Sequence, residues 1–216
     1  MHASVRISLL ATCAAALGLL AGAALTWIVA RPAPVHAPGP IDIGFAQAMS
    51  LHHQQAIAMA QLLLEGAPTP LAPLARGIAG AQLLELGEMR GWLRLWGAAP
   101  LPPTTSMDWM RLGNAPPDEA LLQYLLDCQR SPTGMSGLAT DAEIQKLRTL
   151  TGRERDAHFL KLMLAHHQGG LPMARFAATQ AAVPIVRELA TRVVLEQSQE
   201  IVMILRTQQA MAATAE

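Results

Sequence analysis

The chain has 216 residues, of which 51% are apolar, and its formal charge at pH 7 is zero. This length suggests one domain plus an appendage, and the lack of a basic patch argues against nucleic acid as a partner. Aromatic residues are scarce while Ala, Leu and Met dominate, which favours helices over strands. Cysteines occur only at Cys13 and Cys128, too few for a cysteine-based zinc site.

The N-terminal apolar run Ile7–Ala30 predicts a signal-anchor or signal peptide over residues 1–31. Its length suits a membrane span of about 20 residues and exceeds the apolar core of about 7–15 residues of a cleaved signal peptide. We therefore expect an uncleaved transmembrane anchor, with cleavage and secretion as the alternative. The Pro-rich stretch 32–41 predicts a tether to an extracytoplasmic domain on the periplasmic or cell-surface side.

Helix signals follow in the order pair, crossover, pair. Apolar periodicity and Pro/Gly punctuation predict long helices at 42–65, 71–97, 152–180 and 184–211, and short ones at 118–129 and 141–150. This order predicts an all-α, ferritin-like four-helix bundle over 42–211, built from a duplicated helix pair. The first half is 42–97, the crossover is 98–150 and the second half is 151–211.

One sequence pattern occurs twice, 114 residues apart. Residues 45–60 are FAQAMSLHHQQAIAMA and residues 159–174 are FLKLMLAHHQGGLPMA, so that Phe, Met, His, His, Gln, Met and Ala coincide. Asp42 and Asp156 precede the two copies at the same distance, and we expect them to cap helices rather than to bind a ligand. Imidazole and thioether groups are metal ligands, and an apolar core has no need to repeat them.

The spacing turns the first histidine of each pair inward. In the first copy, intervals of three and four residues connect Asp42, Phe45, Met49, His52, Ala56, Met59 and Leu63. This is the stripe that a bundle helix buries, and the second copy repeats it around His166. His53 and His167 lie about 100° further round their helices, where they either line the same site or stay half exposed.

Polar residues interrupt the apolar stripes of the second and fourth helices at equivalent heights. Gln82 and Glu85 interrupt the one, and Gln197 and Glu200 the other. A buried carboxylate is costly unless it is paired, hydrogen-bonded or metal-bound, so the glutamates and histidines invite a common explanation. The predicted metal ligands are His52, His53, His166, His167, Met49, Met59, Met163, Met173, Glu85 and Glu200.

This ligand set favours copper. Thioether with imidazole suits Cu(I), imidazole with carboxylate also accepts Cu(II) or zinc, and calcium and magnesium fit poorly. The first alternative is a bundle without metal, in which Glu85 and Glu200 hold His52 and His166 in a buried network. The second is a di-iron-type oxidoreductase, but the Glu-x-x-His motif of such bundles is missing. No nucleophile elbow, phosphate loop or HExxH motif predicts an enzyme.

These residues resemble the family known as domain of unknown function 305, whose members include a periplasmic copper-binding protein. The family pattern of Asp, Phe, Met, His-His, Met-Ala and Gln-x-x-Glu matches both copies, and its Gly-Met step matches Gly134-Met135. The resemblance covers Asp42 to about Arg206 and implies a ferritin-like fold and copper binding. Gly170, in place of the Ala that Ala56 supplies, and Pro172 depart from the pattern and predict a looser second half-site.

Overall fold

The structure, a computed structural model, describes residues 18–22, 26, 37–104 and 106–213. From residue 37 onward the described chain forms six α-helices and one short 3-10 helix, and it contains no strand. In chain order these are α1 Pro40–Glu65, α2 Ala72–Leu95, the 3-10 helix Asp108–Arg111, α3 Glu119–Arg130, α4 Asp141–Thr149, α5 Gly152–Gln180 and α6 Pro184–Ala213. The predicted all-α class is confirmed.

The predicted anchor Ile7–Ala30 and the first part of the tether lie outside the described residues, apart from 18–22 and 26. Within the part of the chain that is described, no helix is long and apolar enough to cross a membrane. The anchor therefore stays a prediction from sequence.

Local signals set the helix ends. Pro40 occupies the first turn of α1, where the N–H that proline lacks would have no partner within the helix. The Asp118 side chain caps α3 by accepting a hydrogen bond from the Leu121 N–H at 2.8 Å. Thr140 and Glu143 cap α4 reciprocally. All six α-helices begin and end within two residues of the predicted bounds.

Helices α1 and α5 pack antiparallel, with α2 against α1 and α6 against α5. The core shows the antiparallel arrangement, because Met49 shares one cluster of buried side chains with Met173 and Met59 shares the other with Met163. The predicted inward stripe is buried along both helices. The two copies of the repeat therefore face each other about an approximate two-fold axis.

The sequence predicted that Asp42 and Asp156 cap helices, but only Asp42 caps its own helix, and both aspartates contact the other half. Asp42 helps to cap α1 by accepting from the Gly39 N–H at 2.8 Å, but it also accepts from the Ala182 and Val183 N–H groups just before α6, at 3.3 and 2.9 Å. Asp156 lies beyond the first turn of α5 and accepts from the Thr69 hydroxyl, just before α2, at 2.7 Å. Each aspartate thus ties the start of its own half to the other half.

The end of the crossover lies against the middle of both repeat helices. The Gln55 amide of α1 donates to the Ala139 carbonyl at 2.8 Å and accepts from the Ala139 N–H at 2.7 Å. Gly169 occupies the equivalent position on α5, and its carbonyl accepts from the Tyr124 hydroxyl at 3.0 Å. A Cβ at Gly169 would lie 2.2 Å from the Ser136 carbonyl oxygen, so only glycine fits this contact.

Candidate metal centre

The two inward histidines meet where α1 packs on α5. The ring centroids of His52 and His166 are 3.7 Å apart, with the planes inclined at 36°, and both side chains are fully buried. Nε2 of His166 lies 2.8 Å from the backbone carbonyl oxygen of His52. Because a carbonyl oxygen only accepts, this nitrogen carries the proton, and Nδ1 of His166 keeps its lone pair.

The central rings are held neutral. Burial lowers the pKa of His52 well below its usual range, and the charges of the other three histidines lower it further. Burial and the charge of His167 also lower the pKa of His166, although its bond to the His52 carbonyl acts in the opposite direction. Neutral imidazole is the form that binds a metal ion, so neither ring needs to lose a proton first at neutral pH.

Gly170 makes room for the ring of His52 on α5. A Cβ at this position would lie 2.9 Å from Cε1 of His52 and 3.0 Å from Oε1 of Gln197. The glycine that departs from the repeat therefore matches the side chains that pack against it. Pro172 does not interrupt α5, which continues to Gln180.

The second histidine of each pair bonds a glutamate of its own half. Nε2 of His53 lies 2.8 Å from Oε2 of Glu85, and Nε2 of His167 lies 2.6 Å from Oε2 of Glu200. Both histidine side chains are fully buried, whereas the side chain of Glu85 is 6% exposed and that of Glu200 is 18% exposed. The second half-site is thus the more open of the two.

The pairing in the metal-free alternative is therefore wrong: Glu85 and Glu200 do not hold His52 and His166. Consecutive residues lie about 100° apart round a helix. This rotation turns His53 towards α2 of the same half, while His52 faces α5 of the other half. The sequence left two positions open for His53 and His167. Both side chains lie on the flank of the central pair and are buried rather than half exposed.

Several buried polar atoms of this histidine layer have no hydrogen-bond partner among the described residues. They are Nδ1 and Nε2 of His52, Nδ1 of His53, His166 and His167, Oε1 of Glu85, and the side-chain amide atoms of Gln82 and Gln197. Each unpaired buried atom costs about 1–3 kcal/mol, and native proteins contain few of them. Ring nitrogens and carbonyl oxygens are also metal donors, so a cation at this layer would satisfy the acceptors among these atoms.

Gln82 and Gln197 belong to this layer, although the sequence-based ligand set left them out. Both are 2% exposed and lie one turn before Glu85 and Glu200. The signal was visible in the sequence, since each amide interrupts an apolar stripe beside a glutamate. Because an amide carries no charge, its burial costs less than that of the neighbouring carboxylate, and it is the weaker sequence signal of a site.

The four repeat methionines lie on either side of the histidine layer. All four are fully buried, with Met49 and Met173 in one core cluster and Met59 and Met163 in the other. Met49 and Met163 lie three residues before His52 and His166, and Met59 and Met173 lie three residues after Ala56 and Gly170. Three residues correspond to about 4.5 Å along a helix axis. The structure thus brings the four histidines and two glutamates into one layer, with thioethers one turn above and below.

The candidate ligands lie close together, but their imidazoles and carboxylates do not by themselves form a metal-binding cluster. Over the described ranges 37–104 and 106–213, no group of three or more His, Cys, Asp or Glu side chains is arranged to hold a metal ion. Two of the four imidazoles use Nε2 to bond a glutamate, and a third uses it to bond a carbonyl. An ion held by this arrangement would need thioether or amide donors as well.

Comparison with known proteins adds a family and several similar structures. The sequence profile of the family described as domain of unknown function (DUF305) matches residues 42–207. Curated proteins give no match.

Several solved structures, two of them from this family, resemble the chain over most of its length. A DUF305 protein of Streptomyces coelicolor, assigned as secreted, is 32% identical with a TM-score of 0.67, covering 80% of this chain and 94% of that one. A DUF305 fragment from Deinococcus radiodurans is 26% identical with a TM-score of 0.63, covering 80% and 98%. CopM in its Cu(I)-bound form is 28% identical with a TM-score of 0.56, covering 78% and 96%. CopM has also been solved in Cu(II)-bound, Ag-bound and apo forms.

Proposed function

The chain belongs to the DUF305 family, and on this premise we propose that it is an extracytoplasmic protein that binds copper ions in its histidine layer. One observation carries the proposal: four fully buried imidazoles from two helices lie together, and each keeps at least one ring nitrogen without a hydrogen-bond partner among the described residues. A buried cluster of this kind is costly unless it binds something. The likeness to CopM, which is solved with Cu(I), Cu(II) and Ag, supports copper as the cargo.

The donor set fits copper in both oxidation states. In either oxidation state, copper would use the imidazoles of His52, His53, His166 and His167. The thioethers of Met49, Met59, Met163 and Met173 would add the soft donors that Cu(I) prefers. The oxygens of Glu85, Glu200 and the two buried amides would add the harder donors that Cu(II) accepts. Because thioethers lie on both sides of the layer, we favour Cu(I) as the resident ion.

The proposed location rests on the N-terminal sequence and on one relative. The run Ile7–Ala30 has the length of a membrane span, and the Streptomyces coelicolor relative is assigned as secreted. We propose that the run tethers the bundle to the outer face of the cytoplasmic membrane. Fractionation of cells that express the full chain should find it with the membranes, and recovery of a shortened chain from the soluble fraction would instead show cleavage.

Copper binding is tested by anaerobic titration of the full chain in detergent with Cu(I), against a competing chelator. Replacing His52, His53, His166 and His167 together by Asn should abolish tight binding and leave the helix content largely intact. The matched control is His158→Asn, since His158 also lies on α5 but bonds the Glu143 carbonyl away from the layer. Unchanged affinity in the fourfold variant would contradict the proposal.

A structural role is the second candidate, and the two histidine–glutamate bonds favour it. Without metal, His53–Glu85 and His167–Glu200 would fix the helix register in each half. This candidate predicts that copper does not change the melting temperature of the full chain. A ligand that binds only the folded state must raise that temperature, so a clear rise with copper would eliminate a purely structural role.

A further inference from the structure

Charged side chains of α2 and α6 approach each other between the two halves, and this line of approach is called the seam. Arg192 of α6 and Glu88 of α2 form an ion pair across this seam at 2.6 Å. Glu196 follows Arg192 by one turn on α6. When the halves are aligned on their histidine-bonded glutamates, Ala81 takes the position of Glu196. The carboxylate of Glu196 is therefore an addition to the duplicated pattern.

Glu196 lies among like charges. Its side chain is half-buried, and burial raises the pKa of its carboxyl. The charges of Glu85 and Glu200 raise this pKa further, while Arg192 opposes them. Glu196 lies one helical turn from both Arg192, which pairs with Glu88 of α2, and Glu200, which bonds His167, so its carboxylate is placed between the seam and the histidine layer.

The seam leads from solvent to an unpaired buried acceptor. Side-chain exposure falls from 18% at Glu200 to 6% at Glu85, and to zero at His53 and His167 behind them. Oε1 of Glu85 is buried and has no hydrogen-bond partner in the described chain. A cation that enters beside Glu196 would therefore meet carboxylate oxygens first and ring nitrogens next.

We propose that Glu196 admits hydrated divalent cations, Cu(II) in particular, to the histidine layer. The inference rests on the proposed function, to which it adds the route by which the layer takes up copper in the divalent state that its donor set also accepts. A negative cleft with walls of low dielectric constant concentrates cations and raises their association rate. Carboxylate oxygens suit Cu(II), whereas the soft ion Ag(I) gains less from them.

The test measures association rates by stopped-flow quenching of tryptophan fluorescence, on the full chain in detergent. Glu196→Gln should slow the association of Cu(II) by roughly threefold to tenfold and leave the stoichiometry unchanged. The effect should shrink as ionic strength rises, because salt screens the attraction. Ag(I), used as the soft probe, should be slowed less.

The matched control is Glu188→Gln, which removes the same charge from an exposed site on α6, away from the layer. Its association rate should stay close to that of the unmodified chain. Equal rates for Glu196→Gln and Glu188→Gln would overturn the inference while leaving copper binding in place. A chain that binds no copper at all would overturn the proposed function itself.

A merely structural role for Glu196 gives a different result. The substitution by glutamine keeps the side-chain shape and removes a repelled charge, so the melting temperature should stay equal or rise. A clear fall in melting temperature together with an unchanged rate would identify Glu196 as a structural residue and reject the access role.

Discussion

The two halves of the bundle share their inward chemistry and differ in what surrounds it. Each half places a histidine at the central contact and bonds the next histidine to its own glutamate. At one pair of equivalent positions, however, the first half contacts the crossover through the side chain of Gln55, whereas the second half does so through the backbone of Gly169. On the seam, Ala81 corresponds to Glu196. The comparison indicates that the two halves keep the same histidines and glutamates and differ in the residues around them.

The largest expected effect comes from the contact with the crossover. Gly169→Ala should destabilise the protein by about 3 kcal/mol, because the new Cβ would meet the Ser136 carbonyl oxygen at 2.2 Å. Gly87→Ala on the exposed face of α2, where a Cβ meets nothing within 4 Å, should stabilise it by about 0.5–1 kcal/mol. Urea unfolding of both variants measures the contrast, and similar effects would show that the crossover does not press on α5.

The histidine–glutamate bonds should differ between the halves. Glu85→Ala strands the fully buried His53 and should cost about 2–3 kcal/mol, whereas Glu200→Ala should cost about 1 kcal/mol because its site is more exposed. Thermal unfolding of the metal-free protein separates the two. Equal losses would contradict the claim that the second half-site is the more open.

The aspartate contacts between the halves should also be unequal. Asp42→Ala removes acceptors for three backbone N–H groups and should cost about 2 kcal/mol. Thr69→Val removes the hydroxyl that donates to Asp156 and accepts from the Leu71 N–H, and it should cost about 1 kcal/mol. Denaturant midpoints check this order, and a larger loss in Thr69→Val would reverse the assigned importance of the two contacts.

Stability should depend on pH through the central pair that the halves share. Unfolded histidines take up protons below about pH 6.5, whereas burial lowers the pKa of folded His52 and His166. The unfolded state therefore binds more protons in this window, and the free energy of unfolding of the metal-free protein should fall as pH drops from 7 towards 5.

The control for this pH effect replaces both central histidines by Asn, which should flatten the profile relative to the unmodified chain. The variant His158→Asn, outside the layer, should keep the fall. A double variant whose profile matches that of the unmodified chain would place the titrating groups elsewhere.

Much of the helical architecture could be predicted because its signals are local. Periodicity and Pro/Gly punctuation place every α-helix end within two residues but do not predict the 3-10 helix, and the intervals of three and four residues around His52 and His166 predict their burial. The pairing of glutamates with His53 and His167 could not be predicted in this way. It depends on how far α2 and α6 are rotated about their axes, and tertiary packing sets that rotation.

The second contact of Asp42 was also beyond the sequence. An aspartate near the start of a helix suggests a cap, and the bond to the Gly39 N–H agrees with this. The N–H groups of Ala182 and Val183 lie 140 and 141 residues away, and only the antiparallel packing of the two halves brings them within reach. The role of Glu196 could not be predicted from the repeat either, because the equivalent position of the first half is Ala81.

Anomalous diffraction at the copper edge, from crystals of the copper-loaded protein, tests the central claim most directly. The account predicts a peak within the layer formed by His52, His53, His166 and His167, bonded to ring nitrogens of both halves. A peak only at exposed side chains such as Met203, or no peak at all in crystals grown with excess copper, would contradict it.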